Sequence, residues 1–215
     1  MKKIIYKAIF PATILCLFFS CSPQKTAWDD PAYKKLQESY SLELQKEILQ
    51  SARDSIFRVW SGAERPEQPL PGPNEGIAVR LIVHGQDRGC LTWYRNTGDI
   101  KLFAAYCAAE ALRDPRYEPL KPEEAKDTIL ELSIFGSWEE ISNPEDFTPG
   151  LHNLWLYDGV FNTILQASLA SQRNYTKEIF LEAICQKAGL DKNAWKEDSY
   201  LVWRRSPSIW YYEPL

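Results

Sequence analysis

The stretch from Gly76 to Tyr94 constrains the fold more than any other. Ile77, Val79, Leu81 and Val83 alternate with other residues at the period of a strand, Gly85-Gln86-Asp87 supplies turn chemistry, and Arg88 to Tyr94 returns as a second strand. An antiparallel pair with one apolar face follows. Thr128, Leu130, Leu132 and Ile134 alternate as a third strand, and two apolar runs, Leu154 to Tyr157 and Val160 to Ile164, flank the hairpin signal Asp158-Gly159. Tyr200 to Trp203 and Ile209 to Tyr212 read as two terminal strands.

Helical spacing separates these strands. Leu44, Ile48, Ala52, Ile56 and Trp60 recur every four residues before Gly62, Asp99 caps a helix carrying Ile100, Phe103, Ala104 and Cys107, and Thr176 caps another that Gly189 ends. Pro66, Pro69, Pro71 and Pro73 forbid helix and central strand alike, so that segment is expected as a loop. The sum is an α+β fold: a mainly antiparallel sheet with hairpins and about three helices, in one compact domain with room for a small subdomain.

The N-terminus has a different character. Lys2, Lys3 and Lys7 precede an apolar run from Ala8 to Phe19, interrupted by Pro11, and then Ser20-Cys21. That run is shorter than the roughly 18 residues needed to cross a bilayer, which favours a cleavable export signal over a permanent span. Leu17-Phe18-Phe19-Ser20-Cys21 resembles a bacterial lipobox, so Cys21 is expected to carry lipid as the first mature residue. The expected organisation is a lipoprotein signal over 1–21, a polar tether over 22–40 and the folded domain over 41–215, exported and membrane-anchored, facing periplasm or exterior. The whole chain has 25 basic against 29 acidic residues; losing the three signal lysines takes the net charge from −4 to −7. A nucleic-acid partner relying on bulk electrostatics is not expected.

Without Cys16 and Cys21, three cysteines remain, Cys90, Cys107 and Cys185. No CxxC spacing occurs, and the only histidines, His84 and His152, have no ligand-like spacing, so neither metal nor cofactor is expected. A single disulfide stays open. Helical spacing places Cys107 on an apolar face and Cys185 beside one, as core. His152 reads as a surface or cap residue. No Gly-rich phosphate loop and no GxSxG elbow occurs. The neighbouring carboxylates Glu123-Glu124 and Glu139-Glu140 read as solvated charge.

The residues best suited to chemistry lie on the first hairpin. If Gly85 to Asp87 form a three-residue loop, His84 faces Arg88, Ile82 faces Cys90 and Arg80 faces Thr92. Arg80, His84, Arg88, Cys90 and Thr92 then share one face. Two guanidiniums beside a thiol favour its thiolate, and can equally hold a carboxylate or phosphate. Gly89 leaves room for a ligand to approach the backbone. The plainer reading of the same residues is a solvated sheet face with Cys90 as a small filler.

Arg88-Gly89-Cys90-Leu91 resembles the hallmark Leu-Arg-Gly-Cys-Ile-Gly segment of the AMMECR family. Ala108 to Leu120, with Asp114-Pro115-Arg116-Tyr117 at its centre, Leu132-Ser133-Ile134-Phe135, Gly150-Leu151 and Lys187-Ala188-Gly189-Leu190 before Trp195 follow the family's order, so the resemblance covers about residues 43–213. Asp87 stands where the family has Leu, Thr92 where it has its final Gly, and its Leu-Pro-Gln-Val segment appears as Ile164-Leu165-Gln166-Ala167. The resemblance implies a compact α/β domain with a cleft near the cysteine motif, and it adds Gln166 to the candidate site. Members of the family are often encoded with, or fused to, Memo-like and radical S-adenosylmethionine proteins; such a partner is expected here only if the chain is cytoplasmic.

Two functional classes follow. In one, the domain binds a small anionic ligand or a partner in a cleft beside Cys90, with Arg80, His84, Thr92 and Gln166 as ligand contacts. In the other, Cys90 is a nucleophile or covalent acceptor assisted by Arg88. Export and the lack of a complete acid-base set favour binding.

Overall fold

The computed structural model describes residues 29–74, 76–94, 97–197 and 200–215. The export signal, Cys21 and the first part of the tether lie outside the described residues. The elements run α1 (Pro31–Ser39), α2 (Leu42–Trp60), β1 (Pro71–Asn74), β2 (Ile77–Val83), β3 (Gln86–Trp93), α3 (Ile100–Ala111), β4 (Thr128–Phe135) and β5 (Glu139–Ile141). They continue with β6 (His152–Tyr157), β7 (Asn162–Leu165), α4 (Ala167–Arg173), α5 (Lys177–Lys187), α6 (Ala194–Glu197) and β8 (Val202–Pro214), and a 3₁₀ turn, Pro122–Asp127, precedes β4.

Every pairing in the sheet is antiparallel, in the order β3-β2-β4-β8-β6-β7, with β5 also on β8. The alternating residues Ile77, Val79, Leu81 and Leu130, Leu132, Ile134 put one apolar face under α2 and α3, where Ile48, Ala52, Ile56, Phe103 and Cys107 are fully buried. A second apolar cluster, Leu154, Leu156, Phe180, Ile184 and Cys185 among it, packs α5 against the β6–β7 end. Both clusters rest on one sheet, so this is a single domain.

The two expected terminal strands are one. β8 runs for 13 residues through Pro207, pairing with β6 over its first half and with β4 over its second. The proline is tolerated where β4 ends, because there Gly136 donates to the Pro207 carbonyl and no N–H is required in return. The proline-rich segment is irregular only as far as Leu70; β1 follows, with one bridge between Pro71 and Thr97.

The tether reading fails for its second half. Asp30 caps α1 by accepting from the Ala32 and Tyr33 amides at 2.8 and 3.0 Å, and Tyr33 and Leu36 are buried in the main core. Their spacing of three is enough to hold one short helix down. His152, expected at the surface, is the buried anchor of this helix. Its Nδ1 accepts the Thr148 amide at 3.0 Å, so the proton sits on Nε2, which donates to Asp30 at 3.2 Å. No described helix is long and apolar enough to cross a membrane.

Burial lowers the pKa of His152; Asp30 and Asp146 oppose the shift and Arg205 adds to it. A base with a depressed folded pKa is stabilising above its unfolded value of about 6.5 and loses that contribution as pH falls below it. Protonation also places a hydrogen on Nδ1, against the Thr148 amide. The thermal midpoint should therefore fall between pH 7.5 and 5.5, above the range where the paired carboxylates titrate. A His152→Gln variant, already less stable, should show little slope in that window.

Candidate functional site

The first hairpin turns in two residues, not three. His84 and Gly85, at φ 49° and 77°, form a tight left-handed turn, and Val83 pairs with Gln86. Left-handed backbone at two successive positions matches the twist of the flanking strands, and His84 is exposed at the tip, away from the other candidates. One extra residue then enters β3. Ile82 pairs with Asp87 and Leu81 with Gly89, so Arg88 is the bulged residue. Its guanidinium turns to Glu124, at 2.6 and 3.2 Å, and does not reach the thiol. The short turn and the bulge together shift the pairing by two residues from the expected register. Cys90 therefore lies opposite Arg80, still on its face, and Asp87 joins them.

Gly89 serves the fold. A Cβ there would lie 2.1 Å from the Ala111 carbonyl at the end of α3, so the space expected for a ligand is filled by the helix terminus. Just beyond, Asp114 accepts the Cys90 amide at 3.0 Å and the Arg116 guanidinium at 2.6 and 2.9 Å. This holds the free edge of β3 at Cys90 and sets Arg116 beside it. Those hydrogen bonds from Arg116 are the main reason the Asp114 pKa is lowered.

Arg80 is buried and fully engaged. It donates to Glu131 at 2.9 Å, Gln172 at 3.1 Å, Ser168 at 3.3 Å and Asp87 at 2.5 Å. Glu131, also buried, accepts from Ser168 at 2.7 Å and from Gln172. Burial works against the charge of Arg80, but Glu131 and Asp87 overcome it and raise its pKa. This guanidinium joins β2, β3, β4 and α4; it is not a free anion receptor.

Gln166 stands at the N-cap position of α4 without capping, because Asn153 accepts the Ala167 amide instead, at 2.8 Å. The freed side chain donates to Thr92 at 3.0 Å and contacts the Cys90 sulfur at 3.6 Å, while its buried Oε1 has no partner. These residues line a cavity of about 460 Å³ with Arg80, Asp87, Arg116, Tyr117, Asn162 and Lys187. Lys187 is exposed, and its ammonium donates to the Ile164 carbonyl at 2.7 Å and forms no ion pair among the described residues.

The electrostatics of the thiol run opposite to expectation. Burial raises the Cys90 pKa, outweighing the hydrogen bond from Thr92 and the fields of Arg80, Lys187 and Arg116, all of which favour the thiolate. The sulfur does sit among cations, Arg116 and Lys187 having the place expected for Arg88, and it stays protonated. Cys107 and Cys185 are buried in the two apolar clusters; all three described cysteines are free thiols.

A family model, AMMECR1, matches residues 27–209. The chain belongs to the AMMECR1 family. The match takes in α1, which the motif resemblance left out. A Methanosarcina acetivorans protein is 30% identical over 141 residues, 63% of this chain and 70% of that one. A Thermoplasma acidophilum protein is 30% identical over 161 residues, covering 69% and 76%. An uncharacterized protein from Pyrococcus horikoshii, known from a crystal structure, superposes with a TM-score of 0.67 over 77% of this chain and 89% of its own, at 22% identity. That likeness shows that the AMMECR1 fold is shared.

Of the sequence candidates, Arg80, Cys90, Thr92 and Gln166 meet at this AMMECR1 cavity, while His84 and Arg88 do not. Sequence reasoning missed Asp87, Arg116, Lys187 and Glu131. Glu131 left a signal as a carboxylate in mid-strand between Leu130 and Leu132, and Arg116 and Lys187 lie in segments that follow the family's order. Two substitutions test the scaffold. Glu131→Gln leaves a buried guanidinium without its main partner and should cost about 3–5 kcal/mol in urea unfolding. Gly89→Ala should cost about 1–3 kcal/mol by forcing α3 off the strand.

Proposed function

We propose that the domain is a receptor for a small anionic ligand, seated in the cavity between β3, β7 and the end of α5. The observation that carries this reading is the Lys187 ammonium, which lines the cavity without a carboxylate partner among the described residues, beside Arg116, whose guanidinium Asp114 holds. Arg80 is committed to Glu131 and Asp87, so Arg116 and Lys187 are the groups that receive the anion. Thr92 and Asn162 supply neutral hydrogen bonding beside them. Calorimetric titration with a panel of small carboxylates and phosphates should give saturable, salt-sensitive binding. Lys187→Gln should weaken it about tenfold, or roughly 1.4 kcal/mol. Equal binding by that variant would remove the reading.

The protonated Cys90 weighs against the thiol enzyme. Alkylation of Cys90 should accelerate only above the ordinary thiol value of 9.0. A thiolate already reacting near pH 6 would restore the nucleophile reading.

The reading extends to where the domain works. The basic, apolar and Ser-Cys segments ending at Cys21 support an exported bacterial lipoprotein, anchored through lipid on that residue. Its partners are then the membrane and a small ligand, and a Memo-like or radical S-adenosylmethionine partner in the cytoplasm is out of reach. Mass spectrometry of the mature N-terminus should show a diacylated or triacylated Cys21. An unmodified start elsewhere would refute the anchor.

A further inference from the structure

Lys187 stands at the end of α5, outside every motif that pointed to the hairpin, and its amine enters the same cavity. It donates to the Ile164 carbonyl, on the strand that forms the cavity wall. A lysine on a protein surface is a hydrated cation and a poor nucleophile. An amine becomes nucleophilic when it is taken out of water or crowded by other cations. Lys187 is exposed as a residue, but its ammonium lies against the Ile164 carbonyl and shares its cavity with Arg116 and Arg80; burial and these guanidiniums lower the Lys187 pKa from the ordinary lysine value, against the opposing fields of Cys90 and Asp87.

The neighbours define what can meet that amine. Arg116 keeps its charge through the hydrogen bonds to Asp114 and projects beside Cys90, where it can hold a carboxylate. Gln166, nine-tenths buried, lines the same space, and its Oε1 is an acceptor without a partner among the described residues. A ligand with a carboxylate for Arg116 and an electrophilic carbon for the amine satisfies both cationic groups. The tetrahedral adduct formed on the way carries a hydroxyl that can donate to Gln166.

We infer that Lys187 forms an imine with a small oxo acid held by Arg116 in this cavity. The inference rests on the anion-receptor reading and names the ligand class. The neutral amine adds to the carbonyl carbon, giving a carbinolamine. The carbonyl oxygen then leaves as water with the two amine hydrogens, and a C=N bond remains. No oxidant or reductant is consumed, and hydrolysis restores both partners.

The test is reductive trapping of the intact protein with pyruvate and cyanoborohydride at neutral pH, followed by peptide mapping. The expected result is one added 1-carboxyethyl group, on the Lys187 amine, dependent on the reductant and absent from Lys187→Arg. No adduct, or adducts spread over the exposed lysines in proportion to their exposure, would overturn the inference. Lactate, which has the carboxylate and no carbonyl, separates the two readings. Lactate binding in calorimetry with no trapped pyruvate leaves the receptor and removes the imine; failure of both removes the receptor as well.

Discussion

The buried Arg80–Glu131 pair is the constraint around which the site is built. A guanidinium in the middle of a sheet costs several kcal/mol in lost hydration, and an attraction of comparable size is needed to hold it there. Glu131, directly across on β4, supplies that attraction, and Ser168 and Gln172 fill the remaining hydrogen-bonding capacity from α4. The pair therefore fixes α4 to the polar face of the sheet. Gln166, at the start of that helix, reaches the thiol only because the helix is held there.

Asp87 completes the arrangement, and it arrives by a bulge. A two-residue turn followed by one inserted residue moves the pairing by an even number, so Cys90 and Thr92 remain on the face that alternation assigned to them. Parity survives an error in register. The residue that suffers is the inserted one: Arg88 loses its alternation and turns to Glu124. The arginine in the most recognisable motif of the chain thus supports the 3₁₀ turn before β4, and Arg116, 26 residues along the chain from Cys90, stands beside the sulfur.

How much was legible follows from this. Periodicity gave the antiparallel pairing of β2 with β3, the caps Asp99 and Thr176, and the burial of Cys107 and Cys185, because each is set within a few residues. It divided β8 in two, since nothing local distinguishes a strand crossing two partners from two strands. It passed over α1, whose nine residues carry only Tyr33 and Leu36 as buried anchors and whose cap reaches 122 residues along the chain to His152. It also missed Lys187, which shares the cavity with Cys90 only after β7, α4 and α5 have folded across the sheet.

The same surroundings act differently on the two nucleophilic side chains. For the thiol, burial and the neighbouring cations compete, and burial prevails. For the lysine, burial and cations act together toward the neutral form, because both penalise a positive charge. The cavity thus disfavours charge on both groups until an anion enters. A carboxylate then brings charge of the opposite sign next to Lys187 and Cys90, which favours a positive nitrogen and penalises a negative sulfur. A protonated imine bears its charge on that nitrogen, so the acid that admits the reaction also stabilises its product, while a thiolate at Cys90 becomes costlier with the same ligand bound.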